Sequence, residues 1–81
     1  MAVVGKPNHA QAVVPNDAAP LPVPSTHLSF ANTGTQTLTI DTVGGETNVS
    51  LVLPSGMWPI CAAKVYATGT TVTDIVEYWN A

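Results

Sequence analysis

The sequence predicts an all-β fold, a small antiparallel β-sandwich or barrel of about five strands behind an extended, proline-rich N-terminal arm. Three observations predict it. Eleven Thr and eleven Val among 81 residues make a chain rich in β-branched side chains, which favour a pleated backbone over a helix. Short runs of β-forming residues recur at intervals of about ten residues, separated by glycine turns, the spacing of a sandwich or barrel. Five of the seven prolines, Pro7, Pro15, Pro20, Pro22 and Pro24, fall early in the chain and mark a segment of different character.

That segment, residues 1–25, is the predicted arm, and residues 26–81 are the β domain. In Pro20-Leu21-Pro22-Val23-Pro24 each proline fixes its own φ near about −65° and biases the residue before it toward extended geometry. The composition suits either a disordered leader or an arm that orders along a neighbouring subunit. The apolar side chains of Val13, Val14, Leu21 and Val23 favour the arm and are the candidate contact residues.

The first predicted strand covers His27 to Ala31, with Leu28 and Phe30 on one face, and ends at the turn Asn32-Thr33-Gly34-Thr35. The second runs from Gln36 to Val43, where Leu38 and Ile40 alternate with Thr37, Thr39 and Asp41, as in a half-buried strand. Gly44-Gly45 is expected to close a type I′ hairpin, since both glycines can take positive φ, and Thr47 to Leu53 returns antiparallel with Val49, Leu51 and Leu53 inward. Pro54-Ser55-Gly56 separates a fourth strand, Trp58 to Ala67. Thr68-Gly69 then turns the chain into a fifth, Thr71 to Trp79, as a second hairpin. Both faces of this last strand carry apolar groups. It is therefore expected to be covered on two sides, either as a central strand or by a neighbouring copy.

Charge excludes several functions. Two basic residues, Lys6 and Lys64, against five acidic ones give a net charge of −3, too few cations to neutralise a nucleic-acid backbone. No apolar run approaches the roughly eighteen residues of a membrane span, and no charged region followed by an apolar one opens the chain as a secretory signal would. Neither nucleic acid nor membrane is an expected partner. Cys61 is the single cysteine, so no internal disulfide forms, and its place beside Ile60 and Ala62 predicts a buried, inert thiol. His9 and His27 lack metal-ligand spacing, no glycine cluster cradles phosphate, and no paired acids flank a cleft. No catalytic residue, metal or cofactor is expected.

Four large aromatics, Trp58, Tyr66, Tyr78 and Trp79, fall late in the chain and are read as packing groups of a core or of an oligomer interface. Gly44, Gly45 and Gly69 are read as turn-shaping. A chain this short, without disulfides, must offset roughly 1.5 kcal/mol of ordering entropy per residue, a load that small domains often meet by oligomerising.

Leu53-Pro54-Ser55-Gly56-Met57-Trp58-Pro59-Ile60, followed by Lys64-Val65-Tyr66-Ala67-Thr68-Gly69-Thr70-Thr71-Val72-Thr73-Asp74-Ile75-Val76, resembles a family of small tailed-phage and prophage virion proteins. Its members include head spike-base proteins of phage-like gene transfer agents and capsid decoration, or cement, proteins. Val14-Pro15-Asn16-Asp17 and Leu21-Pro22-Val23-Pro24 resemble the family's opening segment. Where relatives carry basic residues in the fourth strand, this chain has Ala62-Ala63 before Lys64.

The resemblance implies a non-enzymatic bacteriophage structural protein, made in the host cytoplasm and bound to the outer capsid surface of the virion. There it would cement capsomers or form a vertex spike base, with the major capsid protein and copies of itself, as a trimer or a pentamer, as partners and a head fibre as a further one. The alternative reading is a carbohydrate- or receptor-binding β module that stacks exposed Trp and Tyr on its ligand.

Overall fold

The computed structural model describes residues 7–80. Seven strands form two antiparallel sheets that face each other as a small β-sandwich: β1 His9–Ala12, β2 His27–Phe30, β3 Gln36–Thr42, β4 Val49–Leu53, β5 Gly56–Trp58, β6 Ala62–Val65 and β7 Val76–Trp79. The four-stranded sheet has the order β1-β7-β2-β5 and the three-stranded sheet β4-β3-β6. The all-β sandwich expectation is met, with two strands more than expected.

The β3/β4 hairpin forms as its alternation dictates. Leu38 pairs with Leu51 and Ile40 with Val49 on the inner face, while Thr39 lies opposite Ser50 on the outer one. The turn between them is wider than a two-residue connection. Thr42 N–H donates to the Glu46 carbonyl, and of the two glycines only Gly45 has positive φ, at 106°, so the expected type I′ Gly44-Gly45 turn is corrected. Asn48 absorbs a second left-handed position, at φ 53°, with its N–H donated to Asp41 Oδ1.

Facing side chains fill the core: Leu28 and Phe30 from β2, Leu38 and Ile40 from β3, Ala62 and Val65 from β6, joined by Val13, Val72 and Ile75. Leu21, Leu51, Trp58 and Ile60 pack at its margin, half-buried. Leu28, Leu38 and Ile40 lose essentially all solvent contact, each burial being worth about 1.5–3 kcal/mol.

The expected second hairpin does not form, because β6 and β7 belong to different sheets. Past β6 the chain stays on β3: Tyr66 N–H donates to the Thr39 carbonyl and Thr71 N–H to the Thr37 carbonyl. Asp74, at φ 52°, then breaks the extended run and sends the chain across to the other sheet, so Val72 and Ile75 both point inward. β7 enters between β1 and β2, so both its edges are paired, while Val76 and Tyr78 lie on an outer face that no second layer of the described residues covers.

Residues 7–25, the described part of the expected arm, lie along their own domain. β1 pairs with β7 from His9↔Trp79 to Ala12↔Val76. The following strap runs along the free edge of β6, donating N–H groups from Asn16, Leu21 and Ser25 to the carbonyls of Val65, Ala63 and Ala62. Ser25 fastens its far end: its hydroxyl donates to the Ile60 carbonyl and accepts from Ala62 N–H. The strap links the two sheets and covers an edge that would otherwise be open to another strand.

Candidate interaction surface

The register fixes which side chains leave the four-stranded sheet on its outer face. One row is Ala10, Tyr78 and His27; the next is Ala12, Val76, Ser29 and Met57. None is Lys, Arg, Asp or Glu. Met57 is 48% exposed, Ala10 and Ala12 are exposed, and the others are half-buried. The polar groups of this face are largely turned on one another. Ser29 Oγ lies 3.0 Å from the Tyr78 hydroxyl, and Thr26 Oγ1 lies 3.0 Å from His27 Nδ1.

The opposite sheet is built differently. Its outer face carries Thr37, Thr39, Asp41, Ser50, Lys64 and Val52, which is 67% exposed, and the loop after β6 folds back over part of it. Thr39 Oγ1 donates to the Gly69 carbonyl, and Thr39 N–H donates to Thr70 Oγ1, leaving Thr39 buried. Gly69 has φ 84°, and a Cβ there would come within 3.0 Å of Thr39 Oγ1, which is why the loop needs glycine.

Beside this loop sits a charged cluster. Asp17 accepts from the Thr68 hydroxyl at 2.6 Å and from the N–H groups of Thr68 and Ala67, and these bonds hold its carboxyl below the ordinary range. Lys64 Nζ donates to the Asp17 carbonyl and lies 4.6 Å from the centre of the Tyr66 ring. The Tyr66 hydroxyl donates to Asp41 Oδ1 at 2.6 Å; that bond lowers the Asp41 carboxyl and raises the phenol. Asp17 is exposed, so its contacts fasten the strap and contribute little net stability, while Asp41 is half-buried.

The residues singled out in the sequence are dispersed. Val13 is buried in this chain's own core, Val14 beside it is 86% exposed, and Leu21 and Val23 are half-buried. Trp58 lies on the inner face opposite Leu28, with its indole N–H donated to the Pro54 carbonyl. Trp79 stacks on His9 with ring centroids 5.4 Å apart, Tyr78 belongs to the outer face, and Tyr66 is on the other sheet. The four aromatics therefore build no single platform of the sort that sugar stacking requires. Cys61 is exposed, which corrects the buried expectation: Pro59 divides the expected fourth strand, and Ala62 takes the inward place. Among the described residues no three His, Cys, Asp or Glu side chains gather as metal ligands.

One group escaped the sequence reading. Glu77 is fully buried, on the inner row Gln11–Glu77–Leu28. Its Oε1 accepts from Gln11 Nε2 at 2.5 Å, and its Oε2 has no partner among the described residues. The signal was its parity: Glu77 alternates with Ile75 and Trp79 on a face otherwise apolar.

No protein-family model and no curated protein matches the chain. The fold is similar to that of a chain in the solved structure described as the capsid of a native GTA particle computed with C5 symmetry, with a TM-score of 0.69 and 20% sequence identity. The likeness covers 96% of this chain and 90% of that one.

Proposed function

We propose that this chain is a structural component of a phage-like virion, bound to the outside of the capsid as a homo-oligomer that cements capsomers or forms the base of a vertex spike. The observation that carries the reading is the near end-to-end fold likeness to a chain of a capsid solved with C5 symmetry. The outer face of the four-stranded sheet supports it. A sheet face without Lys, Arg, Asp or Glu loses no charge solvation when covered, and its exposed Ala10, Ala12 and Met57 gain from burial.

The partners are then the major capsid protein and further copies of this chain, with a head fibre above it in the spike-base arrangement. Residues 1–25 remain the proposed capsid-contacting segment through the flank that faces outward, Val14 above all; Lys6 lies outside the described residues. Its mechanism is mechanical, by burial and main-chain hydrogen bonding, and involves no catalysis.

Native mass spectrometry at micromolar concentration, paired with co-sedimentation against empty phage heads, tests this. A trimer that pellets with heads supports cementing at threefold positions, and a pentamer that pellets supports a vertex base. A stable monomer that stays in the supernatant overturns the reading.

A further inference from the structure

Glu77 leaves a chemical question open. A carboxylate oxygen buried without a partner costs free energy that native folds rarely leave uncompensated. The group belongs to a cleft of about 250 Å³ between the strap and the sandwich. Its lining includes Val13, Leu21 and Val65, the exposed Ala19, the half-buried Gln11, and Glu77, whose own surface is closed to solvent. Gln11 Nε2 donates one of its two N–H groups to Glu77 Oε1, and the acceptor left over is Glu77 Oε2. Apolar lining residues beside a carboxylate with one unpaired oxygen suit an alkyl stem that ends in a cation. The volume lies below the roughly 300–1,000 Å³ of pockets for drug-sized ligands, which favours a single side chain.

We propose that this cleft receives a lysine or arginine side chain of the capsid partner, whose ammonium or guanidinium group completes the hydrogen bonding of Glu77. The cation comes from another protein because Lys64, the one described basic residue besides histidine, is already committed to the Asp17 carbonyl and the Tyr66 ring. The partner assignment rests on the virion reading; the cation site does not.

Two experiments separate these parts. In the first, the intact protein is titrated with n-butylguanidinium and with n-butylammonium, with 1-pentanol as the neutral control, while amide resonances are followed by NMR. Saturable shifts at Gln11, Val13 and Glu77 with a cation and not with pentanol are expected. Glu77→Gln should weaken that binding about tenfold or more, the low end for a charge-assisted hydrogen bond. Ala19→Phe, which narrows the cleft and keeps the carboxylate, should do the same. No saturable shift, equal shifts with pentanol, or unchanged binding in both variants overturns the site, and ordinary water then suffices for Glu77.

In the second, head co-sedimentation compares wild type with Ala19→Phe and Lys6→Ala. Weaker pelleting of Ala19→Phe with normal pelleting of Lys6→Ala supports the partner's cation. Equal pelleting of wild type and Ala19→Phe overturns it and leaves the virion reading standing. If wild type itself does not pellet, the virion reading and the capsid source fail together, and the titration alone decides the site. Loss of self-association in Lys6→Ala, matched by Ala19→Phe, moves the source to a second copy and overturns the assignment to the capsid.

Discussion

Glu77 and Gln11 behave as a unit whose parts are unequal. Removing the amide alone, in Gln11→Ala, leaves both carboxylate oxygens without a protein donor and should destabilise the fold by about 1–3 kcal/mol in a denaturant titration. Replacing both, in Gln11→Leu with Glu77→Met, removes the polar pair and should be neutral or stabilising. Leu28, fully buried at the middle of the same row, is the ordinary case: Leu28→Ala should cost about 2–5 kcal/mol, read as a lower denaturant midpoint at unchanged slope. Asp17 supplies a pH dependence of known sign. Its carboxyl is depressed below the ordinary 3.8, chiefly by the Thr68 hydroxyl, so its hold on the loop is complete above that value and is lost as pH falls through the lower folded one. Amide resonances of Ala67 and Thr68 should therefore titrate below pH 3.8 in wild type and not in Asp17→Asn.

At the scale of elements, the sequence was most readable where a single period governs. Thr37 to Asp41 alternates polar and apolar groups without interruption, and β3 and its partner β4 lie within the expected ranges. The reading failed where one backbone angle resets the period. Nothing in Thr71 to Trp79 announces that Asp74 takes a left-handed conformation, and without that kink the stretch reads as one strand of a hairpin. Pro59 likewise splits what looked continuous, and this sets Cys61 outward. The strap was recognised as extended from its prolines, but its destination was not, because N–H groups donated to the β6 carbonyls leave no trace in composition. Its placement makes a prediction. Deleting residues 1–14 removes β1, the buried Val13 and the amide that binds Glu77, and should lower stability by at least about 2 kcal/mol. Retention of wild-type stability would show that the strap holds without β1.

Across the whole molecule the two outer faces differ in kind. One is partly covered by its own loop, fastened with threonine hydroxyls; the other is uncharged and carries no such loop. In the virion role proposed above, the bare side is the one that meets a neighbour. Met57→Lys or Ala12→Lys places a cation on the bare face without touching the core. Either should abolish self-association or head binding by sedimentation and leave the unfolding midpoint near that of wild type. Sequence reasoning found the composition behind this asymmetry, a chain poor in charge, but not its sidedness, which depends on the register that brings Ala10, Tyr78 and His27 into one row.

The position of β7 governs how the sandwich comes into being. Among the described residues β1 pairs with β7 alone, and β2 meets the other edge of β7, so an early segment of the chain waits for the last strand before its main-chain groups are matched. Closing so long a loop costs entropy before any contact rewards it, which places folding in the slow, milliseconds-to-seconds class of non-local β topologies. During that wait, before the strap and β7 are in place, growing chains expose unpaired β edges to one another. Correct folding of each chain therefore depends on β7 docking within its own molecule faster than a neighbouring chain's edge can take its place.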